Sequence, residues 1–514
     1  MARYDLLIIG GGINGLGIAA DAAQRGLSVR IVEKGDWGGG TTSASSRLIH
    51  GGLRYLQYGE IDLVRESLRE RGILARQRPH LVHPISLLIP TYTGQPTPRW
   101  MVGVGLLLYD LLARDSLFPH PSILGVDKTR EREPGLTADA LTGGYVYPDA
   151  QVEFPERVCV ELMQEARNVG AEATNHRRIV SLTQSDGRVT GAVLRDELTG
   201  VEETLEAALT VNAAGPWLDV INRTLSTPPP ALIGGTWGTH LVLPMRPGGP
   251  RGSIYATAQK DGRPFFLLPW DDRLLVGTTD VKFLGPDPDK LQVEDWETEY
   301  LLAEANRLFP DAAYTPDDVQ ATTVGVRPLP ATGDKAAGAI TRRHFLVDHE
   351  KKHGVAGLVS IVGGKLTTYR SLAEEVVDWV LRTLHRPPVS CPTATLPKEG
   401  GPLRVPALIA EAERDLQKRG LPTTHARRLI GLYGPAYIAV LQRIDADPAL
   451  GKIGGGDTAF FAAQVVHAVH AEGARTVADI AHRRLMLFPP TETALADITR
   501  VCRANGLLPG ETGA

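Results

Sequence analysis

The sequence predicts an α/β fold with a parallel sheet at its N-terminal end. The run from Tyr4 to Gly10 is short and apolar, as expected of a strand buried on both faces. A glycine-rich turn and an amphipathic helix follow it, and a second strand is predicted from Leu27 to Val32. The chain has 514 residues, which is enough for about three domains.

The overall composition is that of a globular protein and excludes several other classes. Apolar residues make up 43% of the chain, charged residues make up 22%, and the formal net charge is −4. We therefore expect no nucleic-acid partner. Cys159, Cys391 and Cys502 lie far apart, which argues against a zinc site and a disulfide framework and favours reduced cytosolic thiols. We expect no bound metal.

The glycine-rich turn after the first strand has the spacing of a dinucleotide-binding motif. Gly10 permits the tight turn, Gly12 lets the main chain approach a pyrophosphate, and Gly15 lets the following helix pack on the strand. Ile13 and Asn14 open that helix, whose free N–H groups and positive dipole end favour phosphate. The complete strand, turn, helix and second strand make this signal much more specific than the glycines alone.

The residues after the second strand indicate which dinucleotide binds. Glu33 ends that strand, where its carboxylate can hydrogen-bond a ribose diol. This acid alone does not separate NAD from FAD. The next segment is rich in glycine and hydroxyl side chains, which an extended FAD needs to hold its second phosphate and its flavin. The predicted contacts in this segment are Thr42, Ser43, Ser45, Ser46, His50, Gly51 and Gly52.

Several longer segments resemble one family of flavoproteins, the aerobic, membrane-associated, FAD-dependent glycerol-3-phosphate dehydrogenases. The similar segments are SSRLIHGGLRYL (45–56), VNAAGPW (211–217), LPWDDRLLVGTTD (268–280), GVRPL (325–329) and IVGGKLTTYR (361–370). The resemblance extends from residue 1 to about residue 385 and is looser beyond it. It implies an FAD-binding, Rossmann-like α/β fold of the glutathione-reductase or D-amino-acid-oxidase type. A sheet-rich α+β substrate domain and a C-terminal helical domain complete it.

The resemblance also implies how the chain divides into domains. The FAD-binding domain is discontinuous, with pieces at 1–85, 145–228 and 320–386. The substrate-binding domain takes 86–144 and 229–319, and the C-terminal helical domain takes 387–514. The strands predicted in the substrate domain are 238–244, 252–258, 264–269 and 273–279.

Two further segments are implied to contact the flavin. Both are places where a strand ends in small residues that let a flat cofactor approach the main chain. The residues concerned are Ala213, Ala214 and Gly215 in the first segment, and Gly364, Lys365, Leu366 and Thr367 in the second. The second segment lacks the first glycine and the Ser or Thr of a Walker A loop, so an ATPase is not expected.

The family oxidises glycerol 3-phosphate to dihydroxyacetone phosphate by hydride transfer to the flavin. A phosphate dianion is best held by cationic side chains. Four positions match family motifs and are predicted to bind the substrate, namely Arg54, Arg327, Arg342 and Lys365. Tyr55 either hydrogen-bonds the phosphate or packs as an aromatic anchor. Arg54, Arg327 and Lys365 are also assigned to catalysis, and Lys365 could favour negative charge on the reduced flavin.

Oxidation of an alcohol also releases a proton, and a neutral histidine has a suitable pKa to accept it. His240 lies in a predicted strand and matches a histidine of the family, so we predict that it contacts the substrate and could act as the base. A purely structural histidine is the alternative. His50 is predicted to contact the flavin rather than to act as a base. An arginine is excluded as the base because its guanidinium stays protonated.

The implied electron acceptor is ubiquinone or menaquinone. This places the protein in the cytoplasm, in peripheral contact with the inner face of the cell membrane. Two alternatives stay open: a glycerol-3-phosphate oxidase that produces hydrogen peroxide, and another flavoprotein oxidase acting on amines or 2-hydroxy acids. The sequence also leaves open whether the protein forms a homodimer.

Two segments bear on contact with a membrane. Met101–Tyr109 is apolar throughout but too short to cross a bilayer. We predict a buried helix there, with a helix at the membrane surface as the alternative. The segment 476–488, TVADIAHRRLMLF, is predicted to be a solvated helix face. Contact with anionic lipid or a neighbouring subunit is its alternative.

Overall fold

The structure is a computed structural model that describes residues 3–113, 117–283, 285, 287–331, 341–395, 404–456 and 459–508. The strands are β1 (Arg3–Ile9), β2 (Val29–Val32), β3 (Leu48–Ile49), β4 (Val82–Tyr92), β5 (Ser122–Leu124), β6 (Leu141–Val152), β7 (Glu172–Thr174), β8 (Arg177–Ser185), β9 (Arg188–Asp196), β10 (Glu202–Asn212), β11 (Thr236–Pro244), β12 (Ser253–Thr257), β13 (Pro264–Trp270), β14 (Arg273–Gly277), β15 (Val281–Lys282), β16 (Ala321–Arg327), β17 (Phe345–Asp348), β18 (Leu358–Val362), β19 (Ile453–Gly454) and β20 (Phe460–Phe461). The helices are α1 (Ile13–Gln24), α2 (Ile61–Gln77), α3 (Arg99–Leu112), α4 (Val126–Arg132), α5 (Pro155–Asn168), α6 (Leu218–Asn222), α7 (Asp295–Leu308), α8 (His349–His353), α9 (Tyr369–Thr383), α10 (Val405–Lys418), α11 (Ala426–Tyr433), α12 (Tyr437–Ala446), α13 (Ala462–His470), α14 (Val477–Asp479) and α15 (Glu492–Ala504).

The first sheet has the strand order β17-β18-β10-β1-β2-β7, with β9 pairing β10 and β8 pairing β9. Strand β1 lies between β10 and β2 and is parallel to both. Its residues Leu6, Leu7 and Ile8 are fully buried because helices cover one face of the sheet and the β8–β9 hairpin contributes to the core on the other. The predicted parallel sheet at the N-terminal end is confirmed.

The second sheet has the order β15-β11-β14-β13-β12-β4-β6-β3, with β16 on β11 and β5 on β6. The four strands predicted between residues 238 and 279 are confirmed as β11 to β14. The predicted boundaries at residues 145 and 320 do not coincide with the ends of this sheet. Strand β6 crosses residue 145, and β16 pairs antiparallel with β11 from Ala321 to Arg327, so the chain leaves the second sheet only after Arg327. Strand β3, within the predicted first FAD piece, also belongs to this sheet.

The C-terminal part is helical, as predicted, and packs against the first sheet's domain. The prediction of a solvated face for 476–488 is wrong for much of this segment. Ile480, Ala481 and Arg484 are buried, and Arg484 forms an ion pair with Asp36 in the loop after β2. The segment therefore belongs to the interface between the C-terminal helices and the FAD-binding domain.

Helix α3 differs from the prediction of a buried helix. Only Leu106 and Tyr109 are buried among its described side chains, because α3 packs on α2 and the turn at 53–58 by one face alone. Trp100, Val104 and Leu111 point outward and are 66%, 58% and 68% exposed. None of the helices in the described ranges is long and apolar enough to cross a membrane.

Candidate active site

A cleft of about 690 Å³ opens where β1 ends and α1 begins. Gly10 has a φ of +108°, and a methyl group on it would lie 2.6 Å from the carbonyl oxygen of Ala213. A methyl group on Gly15 would lie 1.9 Å from the carbonyl oxygen of Gly10. Both positions therefore require glycine, the first for the turn and the second for the packing of α1 on β1.

The structure places most of the predicted cofactor contacts along this cleft. The predicted contacts that lie in its wall are Gly10, Gly12, Ile13, Asn14, Glu33, Thr42, Ser43, Ser45, Ala213, Ala214, Gly215, Gly364, Lys365 and Leu366. Ser46, His50, Gly52 and Thr367 instead line an adjoining cavity. Gly15 and Gly51 line neither. The amide of Gly51 donates to the hydroxyl of Tyr109 at 2.8 Å, so Gly51 makes room for an aromatic side chain rather than for a ligand.

Several side chains of the cleft are held by the main chain around them. Glu33 accepts hydrogen bonds from the amides of Gly11 at 2.6 Å and Gly35 at 2.8 Å, and burial raises its pKa. The hydroxyl of Thr42 accepts from the amide of Ile13 at 3.2 Å. The walls of the cleft are thus ordered by contacts within the protein.

The cleft is suited to FAD because it contains buried polar groups that have no hydrogen-bond partner among the described residues. Within the described residues, the buried Oδ1 of Asn14 and Nε1 of Trp217 have no hydrogen-bond partner. Gly12 leaves open space toward Thr42, since a methyl group on it would meet only the Thr42 hydroxyl at 3.5 Å. The residues suited to hold FAD are the N-terminal turn of α1, Glu33 for a ribose diol, and the small residues Ala213 to Gly215 next to the Gly10 turn.

The adjoining cavity has a volume of about 270 Å³ and shares Gly364, Lys365 and Leu366 with the cleft. All six predicted substrate residues line it, although they come from segments far apart in the chain. They are Arg54, Tyr55, His240, Arg327, Arg342 and Lys365. The structure therefore brings together the cations that the sequence proposed for one phosphate.

Arg327 is held by several groups at the side of this cavity. It donates to Asp280 at 3.0 Å, to the hydroxyl of Thr278 at 2.9 Å and to the carbonyl of Thr279 at 3.0 Å. Burial, aided by the nearby charge of Arg342, lowers the pKa of Arg327 to about 10, so it stays protonated at neutral pH. Burial opposes the ionisation of Asp280, but Arg327 and Arg342 hold its pKa below the usual value.

His240 and His50 are both neutral in this cavity. Burial, together with the charge of Arg327, lowers the pKa of His240 to about 3, and its Nε2 lies 2.8 Å from the hydroxyl of Ser46. The other ring nitrogen of His240 is buried and has no partner among the described residues. Burial, with Lys365 nearby, lowers the pKa of His50 to about 3. Each ring can therefore offer a lone pair at neutral pH.

Lys365 lies where the cleft and the cavity meet. Its Nζ donates to the hydroxyl of Ser67 at 2.9 Å and lies 4.6 Å from the ring centre of Tyr55. Burial lowers the pKa of Lys365 to about 7, so the neutral amine is well populated at physiological pH. Tyr55 thus serves as an aromatic neighbour of the ammonium group.

The cavity also contains residues that the sequence analysis did not assign. Arg263, Tyr255 and Phe266 complete its wall, with the rings of Tyr255 and Phe266 packed 5.0 Å apart. The segment ending at Asp280 is one of those that resemble the family, but no role was predicted for this carboxylate. A local signal existed, because Asp280 directly follows a strand and two threonines that end at the cavity.

Comparison with known proteins agrees with this geometry. Residues 5–370 match the family of FAD-dependent oxidoreductases, and residues 391–504 match the C-terminal domain of alpha-glycerophosphate oxidase. The chain is 40% identical to a glycerol-3-phosphate dehydrogenase of Synechocystis, over 96% of this chain and 89% of the relative. It is 32% identical to the aerobic glycerol-3-phosphate dehydrogenase of Bacillus subtilis, over 86% of this chain and 80% of the relative.

A solved structure extends the comparison to the fold. The glycerol-3-phosphate dehydrogenase of Bacillus halodurans, complexed with FAD, superposes with a TM-score of 0.76 at 28% identity, covering 99% of this chain and 95% of that chain. The chain therefore belongs to the family of FAD-dependent oxidoreductases. Within it, the chain belongs to the same family as the glycerol-3-phosphate dehydrogenases, and the predictions of family, fold class and FAD cofactor are confirmed.

Proposed function

We propose that this protein oxidises the secondary alcohol of sn-glycerol 3-phosphate to dihydroxyacetone phosphate. The observation that carries the proposal is the charge of the cavity beside the cofactor cleft. Among the described residues of its wall, four side chains are permanently charged arginines, one is a lysine, and Asp280 is the one carboxylate. The arginines are Arg54, Arg263, Arg327 and Arg342, and the lysine is Lys365, which is partly neutral at physiological pH. Such an excess suits a small ligand with two negative charges.

In this reaction FAD, when bound, supplies the acceptor for the hydride that leaves the carbinol carbon. Arg327 and Arg342 hold the phosphate and so fix the position of the three-carbon chain. Lys365 in its neutral form takes the hydroxyl proton, because its pKa of about 7 is close to that of an effective base at neutral pH. The predicted role of His240 as the base stays a prediction. Its low pKa favours a hydrogen bond to the substrate instead.

An anaerobic visible spectrum tests the substrate. Addition of glycerol 3-phosphate to the purified protein should bleach the flavin band, and glycerol at the same concentration should leave it unchanged. If glycerol 3-phosphate leaves the band intact, the substrate is wrong while the FAD cofactor stands. Amines and 2-hydroxy acids would then be the next compounds to add.

The proposed electron acceptor is a membrane quinone, and the outer face of α3 is proposed to rest on the cytoplasmic membrane surface. Trp100, Val104, Leu107 and Leu111 recur along one side of this helix, and all are more than half exposed. Soluble proteins rarely leave such a continuous apolar strip in water. An amphipathic helix of this kind lies in the membrane interface with its apolar side in the lipid.

Flotation with anionic phospholipid vesicles tests this surface. The double variant Leu107→Glu/Leu111→Glu should lose vesicle binding and quinone reduction in vesicles, but keep its activity with a soluble dye. Ile438→Glu changes an exposed apolar residue in the C-terminal helices and is the matched control. Equal vesicle binding by the double variant and the wild type would remove α3 from the membrane surface.

The oxidase alternative is tested in the same cuvette as the spectrum. After bleaching, oxygen is admitted to one sample and a soluble quinone analogue to another. A dehydrogenase should regain its flavin band much faster with the quinone. Fast reoxidation by oxygen with formation of hydrogen peroxide would favour the oxidase.

A further inference from the structure

The C-terminal domain contributes an arginine to the cofactor cleft. Arg483 lines the same cleft as Gly12 and Glu33, although it lies in the sequence segment that matches the separate C-terminal family. A methyl group on Gly39 would lie 3.3 Å from Nη2 of Arg483, so the guanidinium is next to the main chain of the loop after β2. The sequence analysis gave Arg483 no role in binding FAD.

Arg483 differs from the other arginines of the cleft in lacking an acidic partner. Arg177 pairs with Asp196, and Arg178 pairs with Glu197 at 2.9 Å. Arg483 makes no hydrogen bond or ion pair within the described ranges, and its Nε is buried without a partner. A buried guanidinium nitrogen is costly unless it is hydrogen-bonded. The cleft is therefore expected to provide this partner from a bound anionic ligand.

The position of Arg483 is fixed by its neighbour in a π-helical turn, Ile480–Arg484. Arg484 is fully buried and donates to Asp36 at 3.0 Å and to the carbonyl of Glu472 at 3.0 Å. Asp36 itself belongs to the cleft wall. The ion pair between Arg484 and Asp36 thus anchors the turn to the cofactor loop and presents Arg483 to the cleft.

A second set of contacts ties the same two regions together. The side-chain amide of Asn175 donates to Asp36 at 2.8 Å and to the carbonyl of Gly473 at 3.2 Å. His176 lies 2.9 Å from a carboxylate oxygen of Asp479 at the start of the turn. Because several buried contacts hold it, the turn is a rigid part of the cleft wall rather than a loose surface segment.

We propose that Arg483 binds the diphosphate of FAD, so that the C-terminal domain forms part of the cofactor site. The diphosphate is the strongly anionic part of FAD, and the guanidinium pairs with phosphate oxygens in a bidentate manner. Thr42 and the amide end of α1 belong to the same cleft wall. This inference concerns the cofactor alone and stands whatever the substrate is.

The test is a titration of the apoprotein with FAD, followed by flavin fluorescence. The variants are Arg483→Gln, which removes the charge, and Arg483→Lys, which keeps it. Arg483→Gln should raise the dissociation constant about tenfold, as expected for loss of a charge-assisted hydrogen bond, and Arg483→Lys should raise it less. Arg419→Gln is the matched control, since Arg419 pairs with Asp445 in the same domain but not in the cleft.

Salt dependence separates a phosphate contact from simple packing. Added salt should weaken FAD binding less in Arg483→Gln than in the wild type, because one screened charge pair is gone. ADP, which carries the same diphosphate, should lose affinity by a similar factor. Unchanged FAD affinity in Arg483→Gln would overturn the proposal. The proposal would also be overturned if Arg483→Gln and Arg483→Lys lost equal FAD affinity and both kept the salt dependence of the wild type.

The melting temperature of each apoprotein shows whether a variant folds. If Arg483→Gln does not fold, Arg483→Met, which also removes the charge, decides the question through its ADP and FAD affinities. A parallel loss of both affinities would support the diphosphate contact, and wild-type affinities for both would overturn it.

Discussion

The cofactor cleft and the substrate cavity share a wall, but they are built in different ways. The cleft is shaped by main chain at the glycine turn after β1 and at Ala213 to Gly215, where strands end and small residues let a ligand approach. The cavity is shaped by long charged side chains that meet from separate segments. Changes in the cavity should therefore affect the substrate without releasing FAD, and changes in the cleft should do the reverse.

The largest expected effect is that of Arg327→Ala. This change removes a substrate-binding cation and leaves the buried Asp280 without one of its hydrogen-bonding partners. We expect kcat/KM for glycerol 3-phosphate to fall about 100-fold, or ~2.7 kcal/mol. FAD content, measured from the visible spectrum, should equal that of the wild type. A variant with normal kcat/KM would remove Arg327 from the substrate site, and one that loses FAD would break the proposed separation of cleft and cavity.

The pH profile of kcat/KM tests Lys365 as the proton acceptor. Its pKa is about 7, so the ammonium form predominates below pH 7 and the neutral amine above it. The value of kcat/KM should therefore rise about tenfold per pH unit below the pKa and level off above it. The second ionisation of the phosphate, near pH ~6, adds a separate limb. Only the limb at the higher pH should vanish in Lys365→Met, and its persistence would contradict the assignment.

Glu33→Ala tests the cofactor cleft, as Arg327→Ala tests the substrate cavity. The change removes the carboxylate that accepts from Gly11 and Gly35 and that is proposed to hold a ribose of FAD. We expect FAD to dissociate about tenfold more readily, as judged by the flavin left after gel filtration. The value of kcat at saturating FAD should stay within a factor of about two of the wild type, because this residue is remote from the substrate cations. Equal FAD retention would count against the role.

Tyr109→Phe, a change on the inner side of α3, is expected to act on stability rather than on the ligand sites. The hydroxyl donates to Asp149 at 2.8 Å and accepts from the amide of Gly51 at 2.8 Å. Its loss removes one hydrogen-bond partner from each of these buried groups and should lower the free energy of unfolding by ~1–3 kcal/mol. Chemical denaturation measures this change. Tyr92→Phe is the control, since its buried hydroxyl has no partner among the described residues and its removal should cost nothing.

The main-chain features of the cleft could be predicted from local sequence patterns, whereas the contacts within the cavity could not. The glycine turn and the strand end at Ala213 to Gly215 are local patterns whose geometry follows from a few neighbouring residues. Arg327 and Arg342 were found by resemblance, but both contact Asp280, and the contact of Arg327 depends on pairing of β16 with β11 across about 80 residues of chain. No local pattern encodes such a contact.

Two other features were also beyond the reach of local patterns. The outward face of α3 contains the same apolar residues as a buried helix, so its exposure follows from how little of the rest of the fold covers it. Arg483 and Arg484 are adjacent and have the same side chain, yet Arg484 pairs with Asp36 and Arg483 faces the cleft. That division depends on the π-helical turn and on the docking of a second domain.

Asp280 gives the cavity an anion of its own. It lies 3.0 Å from Arg327 and 3.8 Å from Arg342, so an incoming ligand competes with a carboxylate that is fixed in place. A singly charged ligand carries the same negative charge as the carboxylate of Asp280, whereas a phosphate dianion carries about twice that charge. We therefore expect the cavity to prefer doubly charged ligands over singly charged ones. Because phosphate monoesters gain their second charge only above pH ~6, we expect the preference of the cavity for them to depend on the pH of the solution.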